Sequence, residues 1–425
     1  MVREAEDSTK SEAAENEPTP SASATAEEEG HRRLKFFWDD GLHYTVTLRP
    51  RLLEAVAGER QPERVFTGEF GPRLQLDAAA YHTDDDLKGF NDTANIRRAQ
   101  LYASGNFRLF VPATYKIEFN ADPKNLYFEN ASLTFQEIPY VGTIKVGQLK
   151  VPFGMERITS SRDLTLMERA SPIEALAPGI NTGFQIGNSA LSNRMTWAVG
   201  WFGGGDPESG RTTTSFTRVI ARVTGLPLYD PGEDDTRLVH VGLGFGYVFS
   251  FDGPVQFSSR PESFFAPRLV DTGKFDADSA WGGSLEAAAV HGPFSVQSEY
   301  LFIRPDAVNG GSLFFHGFYV MGSWFLTGEN RRYDTSQGVF GRVVPKRSVG
   351  SEGGWGAFEL AARFSYLDLD DGSVRGGKMT IPSAGFNWYL TKHVRTMFDY
   401  GFATADKSGE HSQVHIFQTR LQLDF

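Results

Sequence analysis

The chain has 425 residues, a net charge of −11, no cysteine, 35 Phe, 45 Gly and 13% aromatic residues. Zero Cys excludes disulfide scaffolds and thiolate metal sites, and the acidic balance argues against a nucleic-acid partner. Mean hydropathy is −0.33 and no run of about 18 apolar residues occurs, so no transmembrane helix is expected. A transmembrane β-barrel is compatible with such a value, because only alternate residues of its strands meet lipid.

Residues 1–33 are rich in Glu, Pro, Ser and Ala and poor in large apolar residues. Such a segment buries too little surface to order itself and is expected to be disordered. It carries no apolar core of the roughly 7–15 residues that a signal peptide needs, so no export signal is visible. From 34 to 425, strand-like segments follow one another with turn signals between them. Leu34 to Leu48 stands at the margin as a possible additional pair of wall strands.

Three early segments show period-2 alternation, the mark of a strand whose faces meet different surroundings. In Glu69 to Tyr81, Phe70, Leu74, Leu76, Ala78 and Ala80 oppose Arg73, Gln75 and Asp77. In Ile96 to Leu109, Arg98, Gln100 and Tyr102 oppose Ala99, Leu101 and Ala103, while Arg97 has the apolar parity and faces outward unless a bulge re-aims it. In Thr114 to Asp122, Lys116, Glu118 and Asn120 oppose Tyr115, Ile117 and Phe119.

The alternation then stops between Val151 and Gly183. The loop 152–182 contains SSRDLTLMERASPIEALAPG and reads as an irregular helical excursion, with Ser160 or Ser161 as cap and Pro172 and Pro178 breaking it. A strandless stretch of about thirty residues is long for a compact protein and usually functional. Further alternating segments run to the end of the chain. Among them Val255 to Ser263 is the weakest, and the charged stretches Asp230 to Arg237 and Asn330 to Glu352 fit extracellular loops. Segments of about ten residues exceed the five or six typical of soluble strands. Since single-chain bacterial barrels carry an even number of strands, an all-β transmembrane antiparallel barrel of 16 strands is expected, with 18 possible, and with an infolded third loop. The last strand alternates up to its final residue, Phe425, Leu423, Leu421, Thr419 and Phe417 opposing Asp424, Gln422, Arg420 and Gln418. Its terminal Phe425 resembles the assembly signal of outer-membrane barrels.

The stretch GQLKVPFGMERITSSRDLTLMERASPIEALAPG (Gly147 to Gly179) closely resembles the phosphate-selective porin O and P family. The segments IRRAQL (Ile96 to Leu101), YKIEF (Tyr115 to Phe119), SRPES (Ser259 to Ser263) and LVDTG (Leu269 to Gly273) also match. The resemblance implies an outer-membrane, usually trimeric barrel that passes small anions such as phosphate or polyphosphate along basic residues to a constriction. Carried over, the anion-contacting candidates are Arg97, Arg98, Lys116, Lys150, Ser160, Ser161, Arg162 and Arg169. Arg73 joins them from its polar face. Arg suits such a path because its planar fork grips phosphate bidentately, and moderate sites in series let an anion move on. Inward carboxylates such as Glu299, Glu359 and Asp399 work against an anion preference.

No GxxxxGK[ST], HExxH or GxSxG motif occurs and the 9 His residues lack ligand spacing, so no enzyme, cofactor or metal site is expected. Two other readings compete: a general porin with little anion preference, and a secreted carbohydrate-binding β-sandwich.

Overall fold

A computed structural model describes residues 25–27, 32–38, 41–48, 64–83, 87–108, 110–123, 126–204, 215–232 and 235–425. Of the acidic segment 1–33, only a short strand, Thr25–Glu27, and the start of Arg32–Trp38 are described; the expectation of disorder otherwise lies outside the described residues.

The wall is a closed antiparallel barrel of 16 strands. In chain order these are β1 (Arg64–Thr83), β2 (Thr93–Arg108), β3 (Pro112–Ala121), β4 (Leu126–Ile138), β5 (Gly142–Lys150), β6 (Ile180–Ala190), β7 (Met195–Gly203) and β8 (Ser215–Pro231). They continue with β9 (Thr236–Asp252), β10 (Ala277–His291), β11 (Phe294–Ala307), β12 (Phe315–Phe325), β13 (Ala357–Asp371), β14 (Val374–Tyr389), β15 (Val394–Lys407) and β16 (Glu410–Asp424). The ring closes where β16 pairs with β1, from Val414↔Thr83 to Asp424↔Arg73. Closure leaves no unpaired edge in the wall, a condition that a lipid environment imposes because nothing there can satisfy a bare backbone. The closed wall overturns the β-sandwich reading.

The faces are inverted relative to a soluble protein. Leu101 and Phe417 are about half exposed on the outside, at 49% and 53%, while Arg98 and Arg420 are 1% and 2% exposed on the inside. The period-2 pattern therefore reports lipid on one side and a filled polar lumen on the other.

Three expectations need correction. The hairpin of Arg32–Trp38 and Leu42–Leu48 does not enter the ring: it pairs only with the lower part of β1, from Leu42↔Phe70 to Leu48↔Arg64, because β16 already occupies the rest of that edge. Val255 to Ser263 is not a wall strand but part of a segment folded over the lumen between β9 and β10, held by the two-residue pairing Ser258–Ser259 with Val270–Asp271. Finally, Asp230 to Arg237 and Asn330 to Glu352 lie at the end of the barrel that carries the C-terminus. Strand parity decides this, since β8, β12 and β16 all run toward that end.

The wall is not hollow. Residues 151–179 enter from the opposite end and carry two short helices, α1 (Met155–Ile158) and α2 (Ser171–Leu176). Pro172 stands in the first turn of α2, where its missing N–H and fixed φ start a helix rather than break it. Neither Ser160 nor Ser161 caps a helix; Gly154 and Ala170 hold those positions. Leu166, Ala170, Ile173 and Leu176 pack against Leu301, Tyr319, Met379 and Ile381 of the wall, a buried apolar core inside the barrel.

Candidate functional site: a cationic eyelet beside the infolded loop

The inward positions of β1 and β2 bring Arg73 and Arg98 next to the infolded loop. Arg73 donates from Nη1 to Ser161 Oγ at 3.3 Å. Its guanidinium is 3% exposed, its Nε has no hydrogen-bond partner, and it has no ion pair among the described residues. Arg98 and Lys150 converge on Glu129, at 4.0 and 3.7 Å. Gln100 donates to the same carboxylate at 2.9 Å. Lys150 also reaches Thr159 O of the loop at 3.5 Å. Arg162 completes the cluster, paired with Asp163 at 3.5 Å and with Asp424 at 3.8 Å. Arg73, Arg98, Lys150, Ser161 and Arg162 are thus gathered along one side of the lumen by β1, β2, β5 and the loop.

The other candidates have different positions. Arg97 points inward, because the β1–β2 register jumps from Gln75↔Arg98 to Leu76↔Ile96 and leaves Arg97 as the extra residue of a bulge. A bulge inserts one residue and re-aims its side chain. Arg97 then holds Glu168 through Nε at 2.8 Å and Nη2 at 3.1 Å. Arg169 braces the loop itself, donating to Glu156 O at 3.0 Å and Thr159 O at 2.9 Å. Ser160 closes a turn through its carbonyl, which accepts from Asp163 N–H. Lys116 does face inward, yet it is half-exposed and pairs with Glu118 at 3.0 Å.

The inward carboxylates serve the loop. Glu299 accepts the amides of Met155 and Glu156, both at 2.7 Å. Asp399 accepts the Met167 amide at 2.7 Å and Glu262 the Ser171 amide at 2.8 Å. Cations hold the loop's carbonyls: Arg395 donates to Leu164 O and Thr165 O, Arg420 to Met167 O and Arg363 to Glu168 O. Buried backbone groups must be paired, and a loop inside a barrel has no water-facing alternative. A carboxylate that accepts backbone N–H donors is partly screened by their dipoles, although Asp399 Oδ1 and Glu359 Oε1 accept no hydrogen bond from the described residues. Glu359 likewise accepts from Asn387 and Tyr389.

Arg420 forms the firmest anchor, forked onto Asp77 at 2.7 Å through both Nε and Nη2 and bonded to Glu168 at 2.7 Å. Burial alone raises the Glu168 carboxyl, but Arg97 and Arg420 outweigh it and hold that group far below the usual carboxylate range. Asp163 goes the other way, raised by burial against the pull of Arg162. The sequence placed Arg420 and Asp77 on polar faces without pairing them with each other, and it did not single out Glu129 or Glu168. Their only signal was inward parity or loop position beside the basic candidates.

A second segment, 326–356, enters from the C-terminal end. Arg222 of β8 donates to Gln337 O at 2.9 Å and Gly338 O at 2.8 Å while forking onto Glu286. His240 bonds Tyr333 Oη at 2.6 Å. Val339 and Phe340 meet Met155 of α1 with Leu226, Leu238 and Ala288 of the wall. The two infolded segments therefore touch on the β8–β10 side. The basic cluster lies near β1, β2 and β5, and segment 326–356 reaches it through Arg342, which shares Asp424 with Arg162 at 2.7 and 3.8 Å.

At the seam, the Phe425 amide donates to Pro72 O at 3.1 Å, Tyr102 Oη donates to Phe425 O at 2.7 Å, and the Phe425 ring stacks on His393 at 5.3 Å. The residue at which wall pairing ends is thus held by three elements.

Comparison with known proteins agrees with this architecture. The model of the family "Phosphate-selective porin O and P" matches residues 69–425. Porin O of Pseudomonas aeruginosa is 27% identical over 410 residues, covering 85% of this chain and 89% of that protein. Among solved structures, the anion-selective porin from Comamonas acidovorans superimposes with a TM-score of 0.52 at 11% identity, covering 85% of this chain and 100% of the porin. The trimer form of OmpT, an outer-membrane protein of Vibrio cholerae, gives 0.52 at 13% identity, covering 84% and 99%. With a closed 16-stranded wall, an infolded third loop and a family match over residues 69–425, this chain belongs to the phosphate-selective porin O and P family of outer-membrane channels.

Proposed function

We propose that the chain is a passive outer-membrane pore for phosphate-like anions, working as a homotrimer and without a chemical step. The observation that carries the reading is Arg73, a buried guanidinium bonded to a neutral hydroxyl and free of any ion pair among the described residues. A buried cation is costly without a counter-charge. An anion passing the eyelet supplies that charge, and Ser161, Arg98, Lys150 and Arg162 stand beside it to relay the ion. Charges in a narrow, low-dielectric passage act more strongly than at an open surface. Outer-membrane lipid surrounds each wall where subunits do not meet. The trimeric neighbour supports the assembly, and the anion-selective neighbour supports the charge preference.

The test is a planar-bilayer recording under a KCl gradient at low salt, followed by titration with phosphate. Chloride-selective reversal potentials and block by phosphate are expected, with Arg73→Gln weakening the block by about tenfold or more, the loss of a charge-assisted hydrogen bond. Wild-type channels that prefer potassium and ignore phosphate would establish the general-porin reading instead.

A further inference from the structure

The ladder that closes the wall sets Arg73 directly opposite Asp424 on the inner face. Facing residues of neighbouring strands have Cβ atoms about 4.5–5.5 Å apart, and opposite charges at such positions normally pair. Here they do not. Among the described residues, Asp424 is ion-paired with Arg342 and Arg162, while Arg73 bonds Ser161. The Arg342 contact is the tight one, Nη2 to Oδ2 at 2.7 Å, against 3.8 Å from Arg162 Nη1 to Oδ1. Asp424 is 2% exposed, so its charge has to be met by protein groups, and Arg342 meets it.

Arg342 is held in place on both sides within its own segment. The Gly341 amide donates to Arg332 O at 2.9 Å, and Val343 packs against Phe325, Ala357 and Tyr389. The guanidinium also donates from Nη1 to Lys392 O at 3.4 Å. It lines one cavity with Arg162, Asp163, Lys392 and Asp424, so its charge is felt where the basic cluster faces the lumen. In that cluster Arg73, Arg98, Lys150 and Arg162 stand beside Glu129, Asp163 and Asp424, a surplus of one positive charge, which Arg342 makes two. In a narrow passage with low-dielectric walls, one charge more or less changes how strongly an anion is drawn in.

We propose that Arg342 is a specificity-determining residue: it takes up the Asp424 carboxylate and so leaves Arg73 open to the passing anion. The proposal rests on the phosphate-pore reading above and gives segment 326–356 a part in anion choice, although that segment enters from the other end. Without Arg342, Asp424 turns to its cross-strand neighbour, and the eyelet loses its unpaired guanidinium.

The experiment is phosphate block of chloride current in planar bilayers at low salt, for wild type, Arg342→Gln, Asp424→Asn and the two changes together. Heat-modifiable gel mobility checks that each barrel is folded. Arg342→Gln is expected to weaken the block by about fivefold or more. The double variant is expected to return it to within about twofold of the wild type, since the carboxylate that Arg342 offsets is then gone as well. A double variant as weakly blocked as Arg342→Gln overturns the proposal, because Arg342 would then act without Asp424. Conductance in about 1 M KCl, where screening hides charge effects, should stay near wild type for Arg342→Gln. A rise there would mean that the change only displaces the segment, and it overturns the proposal too. Unchanged block in Arg342→Gln overturns the proposal and leaves the pore reading standing, whereas a wild type that ignores phosphate overturns both. Should Arg342→Gln fail to fold, Asp424→Asn alone decides: a stronger block supports the proposal, and an unchanged or weaker one refutes it.

Discussion

The two infolded segments are of similar length and share one lumen, yet they are held differently. Residues 151–179 are gripped from several wall strands at once: β11, β14, β15 and β16 each contribute a side chain bonded to its backbone, through Glu299, Asn387, Asp399, Arg395 and Arg420. Residues 326–356 reach the wall largely with their own side chains, Arg331 on Gln297 at 3.1 Å, Tyr333 on His240 at 2.6 Å and Arg342 on Asp424 at 2.7 Å, while Arg222 and Trp388 hold three of their carbonyls. A segment that sets a passage must be over-determined, since a shift of about 1 Å in its charges changes what can pass. The difference teaches that the wall's inward charges have two uses, and that most of them position the loop.

The largest expected effect comes from cutting the firmest anchor. Arg420→Leu leaves Asp77 and Glu168 buried around an apolar side chain, which costs about 3–5 kcal/mol as for other broken buried pairs. Thermal unfolding in detergent should show a clear drop in midpoint, and single-channel traces should become noisy as 151–179 loosens. A variant as stable and quiet as the wild type would mean that the loop is held elsewhere.

Next is the segment from the other end. Gly338 has φ of +67°, and a Cβ there would stand 2.8 Å from Thr224 Oγ1 and 3.3 Å from Arg222 Nη1. Gly338→Val therefore combines left-handed backbone strain of about 1–2 kcal/mol with a clash. Conductance in high salt should rise as the Gly338 turn is displaced, while phosphate block stays within about twofold, because that turn bonds Arg222 and not Arg73 or Ser161 and Arg342 keeps its own hold on Asp424. Loss of block would show that the turn and Arg342 do not act separately.

A smaller effect separates the two by pH. Glu168 titrates far below its unfolded value, so its contribution is present above the ordinary carboxylate pKa of about 4.3 and is lost as pH falls below that. Glu168→Gln should cost about 1–3 kcal/mol between pH 8 and 5 and progressively less in stronger acid. A penalty that grows on acidification would contradict the Arg97–Glu168–Arg420 assignment. Smallest of all, Tyr333→Phe removes a single hydrogen bond to His240, worth about 0.5–1.5 kcal/mol, and chemical denaturation should register it without any change in phosphate block.

Much of this was legible in the residues. Alternation in β1 to β3 placed Arg73, Arg98 and Lys116 on the inside, and the Gly147 to Gly179 stretch marked the loop that narrows the lumen. Arg97 was ambiguous because a bulge is a property of two strands, and no single strand's parity contains it. Glu299 and Asp399 looked like an obstacle to anions because their partners, backbone amides of a loop more than a hundred residues away, leave no trace in local sequence. Asn330 to Glu352 looked like an outer loop because charge and length do not say on which end of a barrel a connection falls.

By itself, the sequence determined most of the wall strands and their two faces, which follow from a two-residue period that a local window displays, while strand length and the terminal Phe425 carried the expectation of lipid outside. It also determined that basic residues crowd the loop after β5. Only the tertiary structure decided which of those cations stay available and which are spent on holding the loop. Pairing between distant strands sets that choice, and an ion pair is made or left open by geometry in three dimensions, which composition and spacing along one chain do not encode.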